Sequence, residues 1–276
     1  MRIGALDVCF WGGLATAAAG LVWAVWMPAG VDTDYFPIIR QQAYGRGPRV
    51  LIDEAHWNEH RVRETYRPFA RLIERDGYRV ARNHQPIVPG LLAGFDVLVV
   101  AGARPAPWGG AALDPREIEA VRDWVASGGS LLLVTGSGAA MEPLLEAFGA
   151  KLIGPAAEAA SPVELARGRG IAEHPAASGR EEVNEEVGTV ITRGGSSISI
   201  PPGGVSLLTS PGSPAGSALA GLCAHGNGRV AIFGDPAILT ATLVRESGTV
   251  RRVGINSTAG NRQFALNVMH WLTRLL

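Results

Sequence analysis

Short apolar runs alternate with longer amphipathic ones along most of this 276-residue chain, and that alternation leaves few folds open. "RVLID" (49–53), "YRVAR" (78–82), "FDVLVVAG" (95–102), "SLLLVTG" (130–136) and "GRVAIFGD" (228–235) read as strands, the last three apolar enough to be covered on both faces. Between them, "EHRVRETYRPFARLIERDG" (59–77) carries a helical stripe through Tyr66, Phe69, Ala70 and Ile73. Pro68 within it predicts a kink or a late start. The sharpest helix start is "LDPREIEAVRDWVASGG". Asp114 is placed to cap, Pro115 fills the first helical position and Glu117 completes a capping box. Helices are also expected over 139–149 and 261–276, the latter with Phe264, Ala265, Val268, Met269, Leu272 and Leu276 on one face. Buried strands separated by such helices predict an α/β fold, a mostly parallel sheet with helices on both faces. Residues 154–227, rich in Gly, Ser and Pro, read as a β insertion or antiparallel extension of the same domain.

The chain is 47% hydrophobic and 18% charged, a packed core with extra apolar material. The surplus lies at the N-terminus, where residues 8–27 hold no charge. A run of that length can span a bilayer as a helix, with Trp11, Trp23 and Trp26 as interfacial anchors. Residues 1–28 are therefore expected to be an uncleaved signal-anchor, 29–48 a linker and 49–276 the α/β domain. Arg2 before the run and Asp32 and Asp34 after it place the domain outside the cytoplasm, on a single-pass protein of the cytoplasmic membrane. The 25 basic and 25 acidic residues balance, which argues against nucleic acid as a partner. Two cysteines, Cys9 and Cys223, are too few for a disulfide framework.

The stretch "VLIDEAHW" (50–57) contains the letters of a helicase motif. A nucleotide-driven motor also needs a Gly-rich phosphate loop ending in Lys and Ser/Thr. Lys151, in "GAKLIG", is the sole lysine, so that loop is absent and the motor reading fails.

The order "VLIDEAHW", "FDVLVVAG", "EIEAVRDWVASGGSLLLVTG", "HP" and "GRVAIFGDPAILT…FALNVMHWL" resembles the class I glutamine amidotransferase-like superfamily. More narrowly, it is similar to that superfamily's non-catalytic, membrane-anchored bacterial branches of unknown function, and to the N-terminal domains of gliding-type transport auxiliaries and of an intraflagellar-transport subunit. The resemblance implies a flavodoxin-like sheet. It also implies a Cys nucleophile on a tight turn and a His-x-Glu pair, and both are missing here. The turn after "SLLLV" reads Thr135-Gly136-Ser137-Gly138, and His174 is followed by Pro175 and Ala176.

Ligands of open α/β sheets gather at the carboxyl ends of the strands. Asp53, Glu54, His56, His60, Arg104, Ser137 and Asp235 all follow such ends and are the candidate binding residues. A local alternative stands beside this: Asp53 caps a turn, His56 satisfies a backbone carbonyl and Asp235 caps the helix opening at Pro236. The functional expectation is a non-catalytic binding or scaffolding module in an envelope or transport-associated assembly, with protein partners and no cofactor or resident metal. The alternative is a hydrolase using Asp53, His56, Ser137 and Asp235, with or without metal assistance.

Overall fold

A computed structural model describes residues 28–109, 111–135, 139–155, 162–193, 195–246 and 248–276. Strands β1 (Pro28–Val31) and β2 (Arg49–Asp53) are followed by helix α1 (Arg67–Arg75), β3 (Arg79–Asn83), α2 (Pro89–Leu92) and β4 (Val97–Ala101). Then come α3 (Pro115–Ala126), β5 (Ser130–Val134), α4 (Glu142–Glu146), β6 (Lys151–Pro155), β7 (Val163–Arg167), β8 (Gly170–Ile171) and α5 (Pro175–Ser178). Strands β9 (Thr189–Thr192), β10 (Ser196–Ser199), β11 (Val205–Leu208), β12 (Ser217–Ala218), β13 (Ala220–His225) and β14 (Gly228–Phe233) lead to β15 (Ala241–Glu246), β16 (Thr249–Gly254) and α6 (Ala259–Leu272).

Ten strands form one sheet in the order β3-β2-β4-β5-β14-β13-β11-β8-β7-β9. From β3 to β14 every pairing is parallel. Beyond β14 the partners are antiparallel except β7 with β8. The sheet is thus mixed α/β, which corrects the expectation of a mostly parallel, flavodoxin-like sheet. The reason lies in the connections. Amphipathic helices of 9 and 12 residues make crossovers in the first half, whereas the Gly/Ser/Pro-rich stretch offers only turns, which return strands antiparallel.

Successive strand residues feed two cores on opposite faces of the sheet. Val50, Ile52, Val97, Val99, Leu132 and Val134 pack on the side of Phe69, Ile73 and Phe264. Leu51, Leu98, Val100, Leu131 and Leu133 pack on the side of Val121, Val125 and Leu145. Helix α1 begins at Arg67 with Pro68 in its first turn, the late start that Pro68 implied. Helix α3 has the full capping box, with the Asp114 side chain accepting from Arg116 N and that of Glu117 accepting from Asp114 N.

The N-terminal part departs from expectation where it is described. The expected transmembrane helix over residues 8–27 lies outside the described residues; among the described residues no helix is long and apolar enough to cross a membrane. Residues 29–48 are not a free linker. Strand β1 pairs with β15, Asp32 is buried and accepts from Asn256 Nδ2 at 2.8 Å, and the Tyr44 hydroxyl meets Thr273 Oγ1 at 2.8 Å.

Candidate functional site

Chain direction across the sheet reverses at β2: β3 lies on one side of it and β4 on the other. Such a switch point opens a crevice at the carboxyl ends of the two central strands, between the loops that leave them. Here these are residues 54–66 after β2 and 102–114 after β4.

The two loops are stitched together by backbone bonds. Glu59 N donates to Gly102 O at 2.9 Å and Arg104 N to His56 O at 2.8 Å. Gly102 sits at φ +57°, where a Cβ would lie 3.0 Å from the Glu59 side chain, so the close approach requires glycine. Asp53, fully buried at the end of β2, is the hub beneath them. Its Oδ2 accepts from His56 Nδ1 at 2.8 Å and from Asn58 Nδ2 at 3.0 Å, and its Oδ1 from Asn83 Nδ2 at 3.0 Å.

The other nitrogen of His56 is also engaged. Nε2 lies 3.0 Å from Glu117 Oε1, which accepts in addition from Ile87 N at 2.8 Å. Glu117 therefore closes the capping box of α3 and ties the loops after β2, β3 and β4 into one unit. Burial, the largest influence on His56, acts against its cation, but the bonds and charges of Asp53 and Glu117 outweigh it and raise its pKa. Only an imidazolium can donate to both carboxylates at once, since a neutral ring carries a single N–H.

The remaining candidates do not join this cluster. Glu54 turns to the loop's outer side, accepting from Arg82 Nη2 at 2.7 Å and Val62 N at 2.8 Å. Burial works to raise its pKa, and these donors bring it below the ordinary value. His60 stays apart from His56 on a stretch, 54–61, that is not helical. Its Nδ1 meets Thr65 Oγ1 at 2.9 Å, its ring stacks on Tyr66, and burial lowers its pKa. Arg104 pairs with Glu59 (Nε to Oε1 2.6 Å). Asp235 is the cap of the turn at Pro236, accepting from Ala237 N at 2.9 Å and Arg193 N at 3.0 Å. The local alternative is thus right for Asp235. For His56 it is wrong, since the ring meets two carboxylates rather than a backbone carbonyl. Ser137 lies outside the described residues. Among the described residues no group of three His, Cys, Asp or Glu side chains is arranged to hold a metal ion.

His174 accepts from Ala176 N at 3.1 Å and so caps α5. Cys223 lies within β13, 6% exposed, with burial pushing its thiol up to about 11. Three residues escaped the sequence reading as site members: Glu117, Trp57 and Trp108. Glu117 was visible only as a capping residue. The two indoles are exposed, 44% and 81%, and meet edge to face with centroids 5.6 Å apart.

A family model described as a domain of unknown function (DUF4350) matches residues 63–249. Among solved structures, the chain is similar to the mmIFT52 N-terminal domain, with 14% identity, TM-score 0.62, and coverage of 82% of this chain and 97% of that one. It also matches a cytoplasmic protein from Salmonella typhimurium at 14% identity and TM-score 0.49, covering 82% of this chain and 98% of that one. A ThuA-like protein from Bacteroides uniformis matches at 12% identity and TM-score 0.48, covering 86% and 95%. These likenesses concern the fold. No curated protein matches the sequence.

Proposed function

Since the chain belongs to the DUF4350 family, whose description leaves function open, we propose from its own geometry that it is a non-catalytic binding module of a larger protein assembly. The observation that carries this is the engagement of both His56 nitrogens by carboxylates of the same chain. A general base needs a free lone pair within hydrogen-bond reach of the group it deprotonates. An imidazolium held at both ends has none, and it positions loops instead.

The amidotransferase-like reading of the domain rests on the sequence motifs quoted above. On that reading the nucleophile is missing, and the one described thiol is in a strand interior with a pKa near 11, so it is protonated at neutral pH. The exposed indoles on the two loops support binding, because aromatic side chains are enriched at interface centres relative to the rest of the surface.

Incubating the purified full-length chain with glutamine, with simple amides and with activated esters tests the proposal. No turnover above that of His56→Ala is expected. Turnover that disappears in His56→Ala would establish a hydrolase and sink the binding-module reading.

A further inference from the structure

Helix α1 turns Phe69, Leu72 and Ile73 into the core and exposes Arg67, Arg71 and Arg75, which follow one another at helical spacing on a single face. Arg63, on the loop that enters the helix, is exposed as well. Like charges at that spacing repel and lower helix stability, so the row does nothing for the fold. Nearby arginines are neutralised: Arg61 faces Glu64 at 4.0 Å and Arg82 holds Glu54 at 2.7 Å. Among the described residues, the side chains of Arg63, Arg67 and Arg71 make no hydrogen bond or ion pair.

These three arginines line an open groove of about 430 Å³ together with Val62, Ala70 and Glu74. Three guanidinium groups there meet a single carboxylate, and a guanidinium does not lose its proton in a protein. Helix α1 begins at the same place with no acidic residue in its first turn and no side-chain cap, so its dipole adds to the positive sign. The shape favours a peptide over a phosphate backbone. Glutamates four apart on a helix repeat every ~6 Å, the spacing of Arg67 and Arg71, and a guanidinium fork takes a carboxylate through two parallel bonds. Val62 and Ala70 make part of the lining apolar, and Arg75 lies 4.3 Å from the centre of the exposed Phe36 ring. Such surface suits the apolar side chains of a peptide.

Resting on the binding-module reading, we propose that the groove along α1 is the docking site for an acidic segment of a partner protein, its carboxylates held by Arg67 and Arg71. Arg63 extends the site onto the loop. The buried face of α1 fixes the helix in the core, so the row is rigid before the partner arrives.

The test uses the full-length chain and a blocked, fluorescently labelled peptide of Glu-Ala-Ala-Leu repeats, followed by anisotropy. The same peptide with glutamine in place of glutamate is the uncharged control. The glutamate peptide should bind saturably, and the glutamine peptide about tenfold more weakly. The double variant Arg67→Gln, Arg71→Gln should weaken the glutamate peptide about tenfold without lowering the thermal midpoint, because it relieves a repulsion. Arg122→Gln, on the exposed face of α3, should leave binding unchanged. Absence of binding, equal binding of the two peptides, or full binding by the double variant overturns the proposal. So does an oligothymidylate that binds where the glutamate peptide does not and is lost in the double variant, since the groove would then serve phosphates. None of these readouts is turnover, so the binding-module reading stands or falls separately on the hydrolysis test.

Discussion

Two imidazoles in this molecule each face two carboxylates, at opposite ends of the same sheet. His56 lies between Asp53 and Glu117 at the carboxyl ends of the strands. His270, in α6, donates to Asp76 Oδ2 at 2.6 Å and turns Nδ1 toward Glu185 Oε2 at 3.6 Å, too far for a hydrogen bond but close enough for charge attraction. This second cluster is at the amino ends, since Asp76 closes α1 just before β3. Burial opposes the cation of His270 as it does that of His56, and in both the facing carboxylates win and raise the pKa.

The difference is in the charge balance. Glu185 also takes both arms of Arg180 (Nη2 to Oε1 2.6 Å, Nε to Oε2 2.9 Å), so two cations meet two anions in a site that is closed except at the partly exposed Arg180. Burial works to raise the pKa of Glu185, and Arg180 foremost among its partners holds it down at about 2. The rim cluster has no arginine and is bordered by exposed indoles. The balanced cluster knits α1, α6 and the loop before β9 together. The unbalanced one is buried too, and ties together the loops that carry the exposed Trp57 and Trp108. The same chemistry joins helices and a loop in one place and loops at the carboxyl ends of the strands in the other.

The largest expected effect is at the core. His270→Ala leaves the buried Asp76 carboxylate without its cation and should cost about 3–5 kcal/mol, read from denaturant midpoints. Asp53→Ala strands buried donors on His56, Asn58 and Asn83 and should cost about 1–3 kcal/mol. If the two variants prove equally destabilising, the distinction drawn between the two clusters fails.

Acid and base sharpen the contrast. Both imidazoles have raised folded pKa values, so the stability they contribute is full below the unfolded value of about 6.5 and is lost as pH rises through the folded values. Glu185 has the opposite sign. Its contribution is present above the unfolded value of about 4.3 and is lost as pH falls toward about 2. Midpoints measured between pH 6 and 9 should fall for the native chain and stay nearly flat in the double variant His56→Gln, His270→Gln.

Smaller effects separate strain from packing. Trp57→Gly relieves a positive φ and should raise stability by about 1 kcal/mol. Trp108→Ala removes an exposed ring and should change stability by less than about 0.5 kcal/mol. A large loss in Trp108→Ala would make the indole pair a packing element of the two loops.

Local signals were legible wherever one short segment carries its own physics. The capping box at Asp114 and Glu117, the late start at Pro68, the cap at Asp235 and the five strands of the parallel half follow from spacing and side-chain type within a few residues. The site was legible only as a position. "DEAH" at a strand end pointed to the crevice, and the Asp53–His56 contact lies within four residues.

What completes the site is spread along the chain. Glu117 reaches His56 across 61 residues of sequence, and Trp57 meets Trp108 only because Gly102 lets two loops close together. Glu185 and Asp76 come to His270 from 85 and 194 residues away, far outside any window that periodicity can report on. The sequence by itself determined the elements, because hydrogen bonding and amphipathic periodicity act over one or two turns. The tertiary structure alone decided which carboxylate shares which imidazole. Charge pairing depends on distance in space, and that distance is set by the order of the strands.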